Sequence, residues 1–171
     1  MDKRPEEKEF ESHIEQHELL LHKVCCMYAY NNTDRQDLFQ EIVIQLWKAF
    51  PNFKADAKIS TWMYRIAINT AITGLRKKKD FITSYEPGSV PEHAADETTA
   101  LQKEEQIKEL YNAIDKLNQV EKAIVMLYME DRSYEEMEDI LGLNQGNLRV
   151  KMNRIKDKLR QMTKPNHHGI R

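Results

Sequence analysis

Phe10, Ile14, His17, Leu21, Val24 and Tyr28 recur at helical intervals, which predicts one amphipathic helix over residues of about 6–30. The polar NNTD at 31–34 interrupts that pattern, and Thr33 or Asp34 can cap a second helix through a side-chain oxygen. The second helix turns Leu38, Ile42, Leu46 and Ala49 inward and runs to about Phe50. Pro51 stops it, because proline disfavours helical backbone in the residue before it. NFKADAKIS then reads as a short loop. A third helix follows, with Ser60 or Thr61 as its cap and Ile59, Met63, Ile66 and Thr70 along its buried side.

From residue 80 to about 100 the chain holds two prolines, a glycine and no sustained period, which reads as an acidic linker. Four shorter periodic segments come next, marked by Ile107, Leu110, Tyr111 and Ile114, by Val120, Ile124 and Leu127, and by Tyr134, Met137, Ile140 and Leu141. The last carries Leu148, Met152, Ile155, Leu159 and Met162. Strand-period alternation is absent throughout. The expectation is an all-α fold of two small helical bundles joined by a linker, the C-terminal one a helix-turn-helix domain. Its boundaries fall near residues 1–82, 83–104 and 105–164, with a tail at 165–171.

The helix-turn-helix reading rests on LGLNQGN, between the last two segments. Gly142 can take the positive φ that closes a helix, and Asn144 can cap the next one. A short helix, a three- or four-residue turn and a longer cationic helix form the layout that enters a DNA major groove. With Leu148, Met152 and Ile155 buried, Val150, Asn153 and Arg154 point outward and Arg149 lies on the flank. Gln145, Gly146 and Asn147 sit at the exposed N-terminal end. Arg149 suits guanine, Gln145 or Asn147 suits adenine, and Val150 suits a thymine methyl. Lys151, Arg154, Lys156 and Lys158 are placed to neutralise phosphates. A plain helical hairpin with a basic exterior is the structural alternative.

Charge changes this picture more than composition does. The 171 residues have a net charge of −2, but the signs are sorted along the chain. Residues 1–47 hold five basic and ten acidic side chains, and residues 48–79 eight basic against Asp56 alone. Residues 80–142 hold five basic and sixteen acidic side chains, and residues 143–171 eight basic against Asp157. Two cationic blocks, each behind an acidic one, point to two polyanion-binding surfaces on two modules. No apolar run approaches the length that spans a bilayer, and MDKRPEEKEFESHIEQ lacks the apolar stretch of a secretory signal. A cytoplasmic protein without membrane insertion is expected. Adjacent Cys25 and Cys26 are badly placed for a mutual disulfide and read as reduced, small apolar fillers.

The first cationic block contains STWMYRIAINTAITGLRKKK. Thr61, Arg65, Asn69 and Arg76 share one face in this reading, beside the aromatic pair Trp62 and Tyr64. Rings that stack, amides that bond base edges and cations that hold phosphates suit a partly unpaired nucleic acid. Core packing of the two aromatics is the structural alternative.

DLFQEIVIQLWKAFPNF followed by STWMYRIAINTAITGLRKKK resembles region 2 of the extracytoplasmic-function (ECF) group of sigma-70-type transcription initiation factors. LNQVEKAIVMLYMEDRSYEEMEDILGLNQGNLRVKMNRIKDKL resembles region 4. The likeness covers the chain except its first few residues, the linker and the tail. It implies a sigma factor that directs RNA polymerase core to specific promoters. Docking on the β′ clamp helices falls to Asp37, Leu38, Gln40 and Glu41, with Gln45 and Trp47 nearby. Asp37, Gln40, Glu41, Ile44 and Lys48 do form a second face opposite the core stripe. Reading and opening of the −10 element falls to Phe53, Lys54, Lys58, Ser60 and Thr61 in the loop, and to Trp62, Arg65 and Asn69 on the helix. Arg76 to Lys79, Lys77 included, would track the backbone. The C-terminal module would read the −35 element through Gln145, Asn147, Arg149, Val150, Lys151, Asn153 and Arg154, while its first helices touch the β flap. An anti-sigma factor is a further partner of such proteins. The chain departs from the family pattern at Ala55, Thr73, Asn147 and Val150, and at Glu138, where a small residue commonly packs.

Competing chemistry finds little support. HIEQH at 13–17 carries its Glu one position too late for a zinc protease helix, and His13, His17, His22 and the cysteines have no four-ligand spacing. No phosphate loop, dinucleotide fingerprint or serine nucleophile elbow occurs. No enzyme activity, cofactor or metal is expected. Two rivals remain: a helix-turn-helix DNA-binding regulator acting without polymerase, and an interaction bundle that sequesters a protein. Only the second lacks salt-sensitive DNA affinity.

Overall fold

The computed structural model describes residues 4–81 and 100–163, with side chains for residues 4–77 and 103–163. Most of the expected linker, residues 83–99, and the tail at 165–171 lie outside the described residues, as do the side chains of Lys78 and Lys79. Among the described residues every regular element is helical. The all-α expectation holds. The chain divides into two compact units, which are described in turn.

The N-terminal unit holds α1 (Pro5–Gln16), α2 (Glu18–Tyr28), α3 (Asn32–Ala49), a 3-10 turn at Phe50–Asn52, and α4 (Ile59–Phe81). Helices α2, α3 and α4 pack on one another, and α1 leans on α2. The single helix expected over residues 6–30 is two, broken at His17 with φ −118° and ψ 16°. At the break, Nδ1 of His17 lies 3.0 Å from the His13 carbonyl oxygen and donates to it, beside the backbone N–H that uses the same acceptor.

Capping also differs from expectation. Asn31, not Thr33 or Asp34, caps α3: its Oδ1 accepts from the Asp34 N–H at 2.8 Å. Asn31→Ala should lower the unit's unfolding free energy by about 1 kcal/mol, read from the denaturation midpoint, with no change of helix content. Ser60 and Thr61 do not cap α4, which starts at Ile59 and contains both in its first turn.

Helix α4 buries a different side from the one its spacing suggested. Met63, Tyr64, Ala67, Ile68 and Ala71 are in the core, whereas Ile59, Ile66 and Thr70 are only half-buried. The helix is apolar on two stripes, so periodicity alone could not choose between them. The small side chains Ala67 and Ala71 let α4 sit close to α2 and α3, and that contact selects the stripe. Leu21, Val24, Ile42 and Leu46 complete a core in which each fully buried aliphatic side chain is worth about 1.5–3 kcal/mol. Cys25 is a core filler whose thiol burial pushes up to about 11, but Cys26 is exposed and fills nothing.

The C-terminal unit holds α5 (Ala100–Asp115), α6 (Gln119–Met129), α7 (Tyr134–Leu141) and α8 (Gln145–Thr163). Helix α5 starts at Ala100, so residues 100–104 are helical where the linker was expected to continue. Three side-chain caps fix the starts of the later helices. Asn118 and Glu121 form a reciprocal pair at α6, Ser133 and Glu136 do the same at α7, and Asn144 accepts from the Asn147 N–H at 2.8 Å to start α8. Asp131, at φ 54°, turns the chain out of α6, with the Arg132 N–H donating to the Leu127 carbonyl. Ala113, Ile114, Ile124, Leu127, Met137, Leu148, Met152 and Ile155 form the core, with α8 lying against α5 and α6. Ile107, Tyr111 and Val120, expected inside, are exposed, as is Met162.

Candidate functional site

Helix α7, the three residues Gly142 to Asn144, and α8 form the helix-turn-helix. Gly142 has φ +70°, the conformation its place in the sequence suggested, and Asn144 is the expected cap. A Cβ added at Gly142 would meet nothing within 4 Å, so any cost of substitution is backbone strain alone. Gly142→Ala should therefore reduce stability by about 1 kcal/mol, measured by thermal melting, and leave the core packing unchanged.

The turn sets which side of α8 faces solvent. Asn147, Arg149, Val150, Asn153 and Arg154 are exposed, and Gln145 and Lys151 are half-buried. These are the residues a groove-binding helix would present. Two of them are held by α7. The Arg149 guanidinium lies 4.9 Å from the centre of the Tyr134 ring, a cation–π geometry, and Gln145 Nε2 donates to Glu138 Oε2 at 3.2 Å. Neither support was legible beforehand, since the spacing gave Tyr134 to the core. Lys156 and Lys158, expected on phosphates, both reach toward α6. Nζ of Lys156 sits over the Tyr128 ring and 3.2 Å from its hydroxyl, and Nζ of Lys158 pairs with Glu121.

In the N-terminal unit the outer face of α3 carries Asp37, Gln40, Glu41, Ile44 and Lys48, all exposed, opposite the buried Ile42 and Leu46. Leu38 is half-buried, and Gln45 donates to Glu41 Oε1 at 2.7 Å, holding that carboxylate. Trp47 is 37% exposed and stands edge-on to Phe10, with ring centres 5.0 Å apart. Beside it an open groove of about 670 Å³ is lined by Phe10, Ile14, Val43 and Trp47, with Glu7, Glu11, Glu15 and Arg4 also on its walls. An apolar floor with acidic sides suits a partner with apolar and cationic side chains.

The loop before α4 rests on aromatic packing. Phe53 and Trp62 are half-buried against each other at 4.9 Å between ring centres, and Phe50 sits 5.3 Å from Phe10 and 6.3 Å from Trp62. Phe50, which the sequence marked only as a helix end, links Trp62 to Phe10. Lys54, Lys58, Arg65, Asn69, Arg76 and Lys77 are exposed, and Ser60 is half-buried. Thr61 and Tyr64 differ from expectation: both are buried, Thr61 at 3% and Tyr64 at 1%, so neither lies on the outer face. The aromatic pair thus separates into a core Tyr64 and a partly accessible Trp62. Among the described residues no cluster of three or more His, Cys, Asp or Glu side chains could hold a metal ion, and no helix is long and apolar enough to cross a membrane.

Sequence comparison matches residues 13–81 to Sigma-70 region 2 and residues 107–159 to Sigma-70, region 4. The chain is 27% identical over 158 residues to the ECF RNA polymerase sigma factor SigW of Bacillus subtilis, covering 82% of this chain and 81% of the relative. It is 28% identical over 155 residues to RNA polymerase sigma factor SigV of the same organism, covering 88% and 89%. In fold it resembles the sigma factor RpoE of Bartonella quintana, solved in complex with the anti-sigma factor NepR. The TM-score is 0.71 at 16% identity, covering 94% of this chain and 99% of the other.

Proposed function

For a chain that belongs to the extracytoplasmic-function group of the sigma-70 family, we propose a division of promoter recognition between its two units. The protein is an RNA polymerase sigma factor, and its partners are polymerase core and promoter DNA. It serves as a non-catalytic, cytoplasmic subunit that uses binding free energy alone.

The C-terminal unit reads the −35 element, with α8 in the major groove. The observation that carries this is the turn itself: Gly142 at φ +70° and the Asn144 cap present Asn147, Arg149, Val150, Asn153 and Arg154 together on the outer side of α8. Helix α3 docks on the β′ clamp helices through Asp37, Gln40 and Glu41, with Leu38, Gln45 and Trp47 at the edge. The first helices of the C-terminal unit reach the β flap.

The N-terminal unit opens and reads the −10 element. Lys54, Lys58, Arg76 and Lys77 hold the strand, while Arg65, Asn69 and Ser60 contact it. Phe53 and Trp62, tilted against each other with ring centres 4.9 Å apart, give an extruded base an aromatic wall, and capture of that base offsets an unstacking cost of a few kcal/mol. An anti-sigma factor covering the same faces would hold the chain idle; the Bartonella quintana sigma factor was solved in complex with an anti-sigma factor.

The test combines purified polymerase core and this chain on a library of DNA fragments. Start sites that need the chain, and that share two spaced elements, support the reading. Footprints on duplex DNA that are indifferent to core would overturn it.

A further inference from the structure

Glu138 lies on α7, and its Oε2 accepts a hydrogen bond from Nε2 of Gln145, the first residue of α8, at 3.2 Å. A glutamine amide has two N–H donors and one acceptor oxygen, whereas an ionised carboxylate can only accept. The amide is therefore held one way round. Flipping it would set Oε1 of Gln145 against Oε2 of Glu138, two acceptors at hydrogen-bonding distance with no proton between them. When Glu138 takes the N–H that points away from Oε1, the amide keeps its other N–H beside Oε1. That donor–acceptor pair matches N7 and the N6 amino group on the major-groove edge of adenine, a pattern no other base presents.

We propose that Glu138 is a positioning residue for sequence readout, fixing the Gln145 amide in the orientation that selects adenine at one step of the upstream promoter element. The inference rests on α8 being the major-groove helix. It also accounts for a carboxylate where the family commonly packs a small residue. A negative charge near the groove opposes the DNA phosphates, so Glu138 trades overall affinity for discrimination.

The experiment uses the polymerase holoenzyme containing the full chain, and duplexes randomised across the upstream element. Q145A identifies the step at which the wild type selects adenine. At that step E138A should lose the preference by about tenfold, and at no other step. E138Q drops the charge, but its amide can donate as well as accept, so it no longer fixes the Gln145 amide and should lose most of the preference while binding every sequence more tightly. Replacing that adenine by 7-deazaadenine, which lacks N7, should weaken the wild type and leave E138A unaffected. If E138A keeps the wild-type preference, or if both variants gain affinity with unchanged preferences, the positioning role is overturned and the reading of α8 survives. A wild type that selects no base upstream, unchanged by Arg149→Ala, would overturn that reading and this inference with it.

Discussion

Asp37→Arg should cost the protein about 3 kcal/mol of affinity for RNA polymerase core, roughly a hundredfold in Kd, while its helix content and melting temperature stay close to wild type. The fold survives because Asp37 is exposed on the outer side of α3, away from the buried Ile42 and Leu46. Arginine also has the higher helix propensity. The affinity falls because Asp37 and Glu41 outweigh Lys48 on that face, and the groove beside Trp47 is walled by Glu7, Glu11 and Glu15. A partner complementary to that surface is cationic, and a new guanidinium would oppose it. Titration of labelled core with the purified variant measures the loss. Unchanged affinity would remove α3 from the docking surface.

Arg149→Ala should reduce discrimination at a single upstream base pair by about 1–3 kcal/mol, the worth of a bidentate arginine–guanine contact. Its guanidinium is exposed but not adrift, since the Tyr134 ring lies 4.9 Å away and limits where it can point. Preorganisation of that kind reduces the side-chain entropy lost on binding. The slope of affinity against salt separates two roles for Arg149. A base-reading arginine leaves the slope almost unchanged, whereas a phosphate contact lowers it by about one. Arg154→Ala is the matched comparison, expected to weaken all sequences alike. Competition binding at several salt concentrations reads both quantities.

Much of this architecture was legible before any coordinates. The helical class, the stop at Pro51, the positive φ of Gly142 and the Asn144 cap all follow from local chemistry, because turns and caps are decided within a few residues. The outer face of α3 was legible too, since one stripe there is clearly polar. Helix α4 was not. Its sequence is apolar on two sides, and the packing of α2 and α3 decided that Tyr64 and Ala67 go inside while Ile66 stays at the margin. Thr61 went with them, although its spacing from Arg65 and Asn69 placed it outside.

The cations of α8 show the same boundary. Charge sorting marked the helix as a polyanion surface but treated its lysines and arginines alike. The fold distinguishes them: Arg149 and Arg154 face outward, whereas Lys156 lies over Tyr128 and Lys158 pairs with Glu121. Those partners are 28 and 37 residues away, beyond the reach of any periodicity. By itself the sequence determined the helical class, the punctuation of the helix-turn-helix and the sign of each surface, because these depend on neighbours along the chain. Only the tertiary structure decided which apolar stripe is core and which cations of α8 meet partners within the fold, because those choices depend on what each helix meets in space.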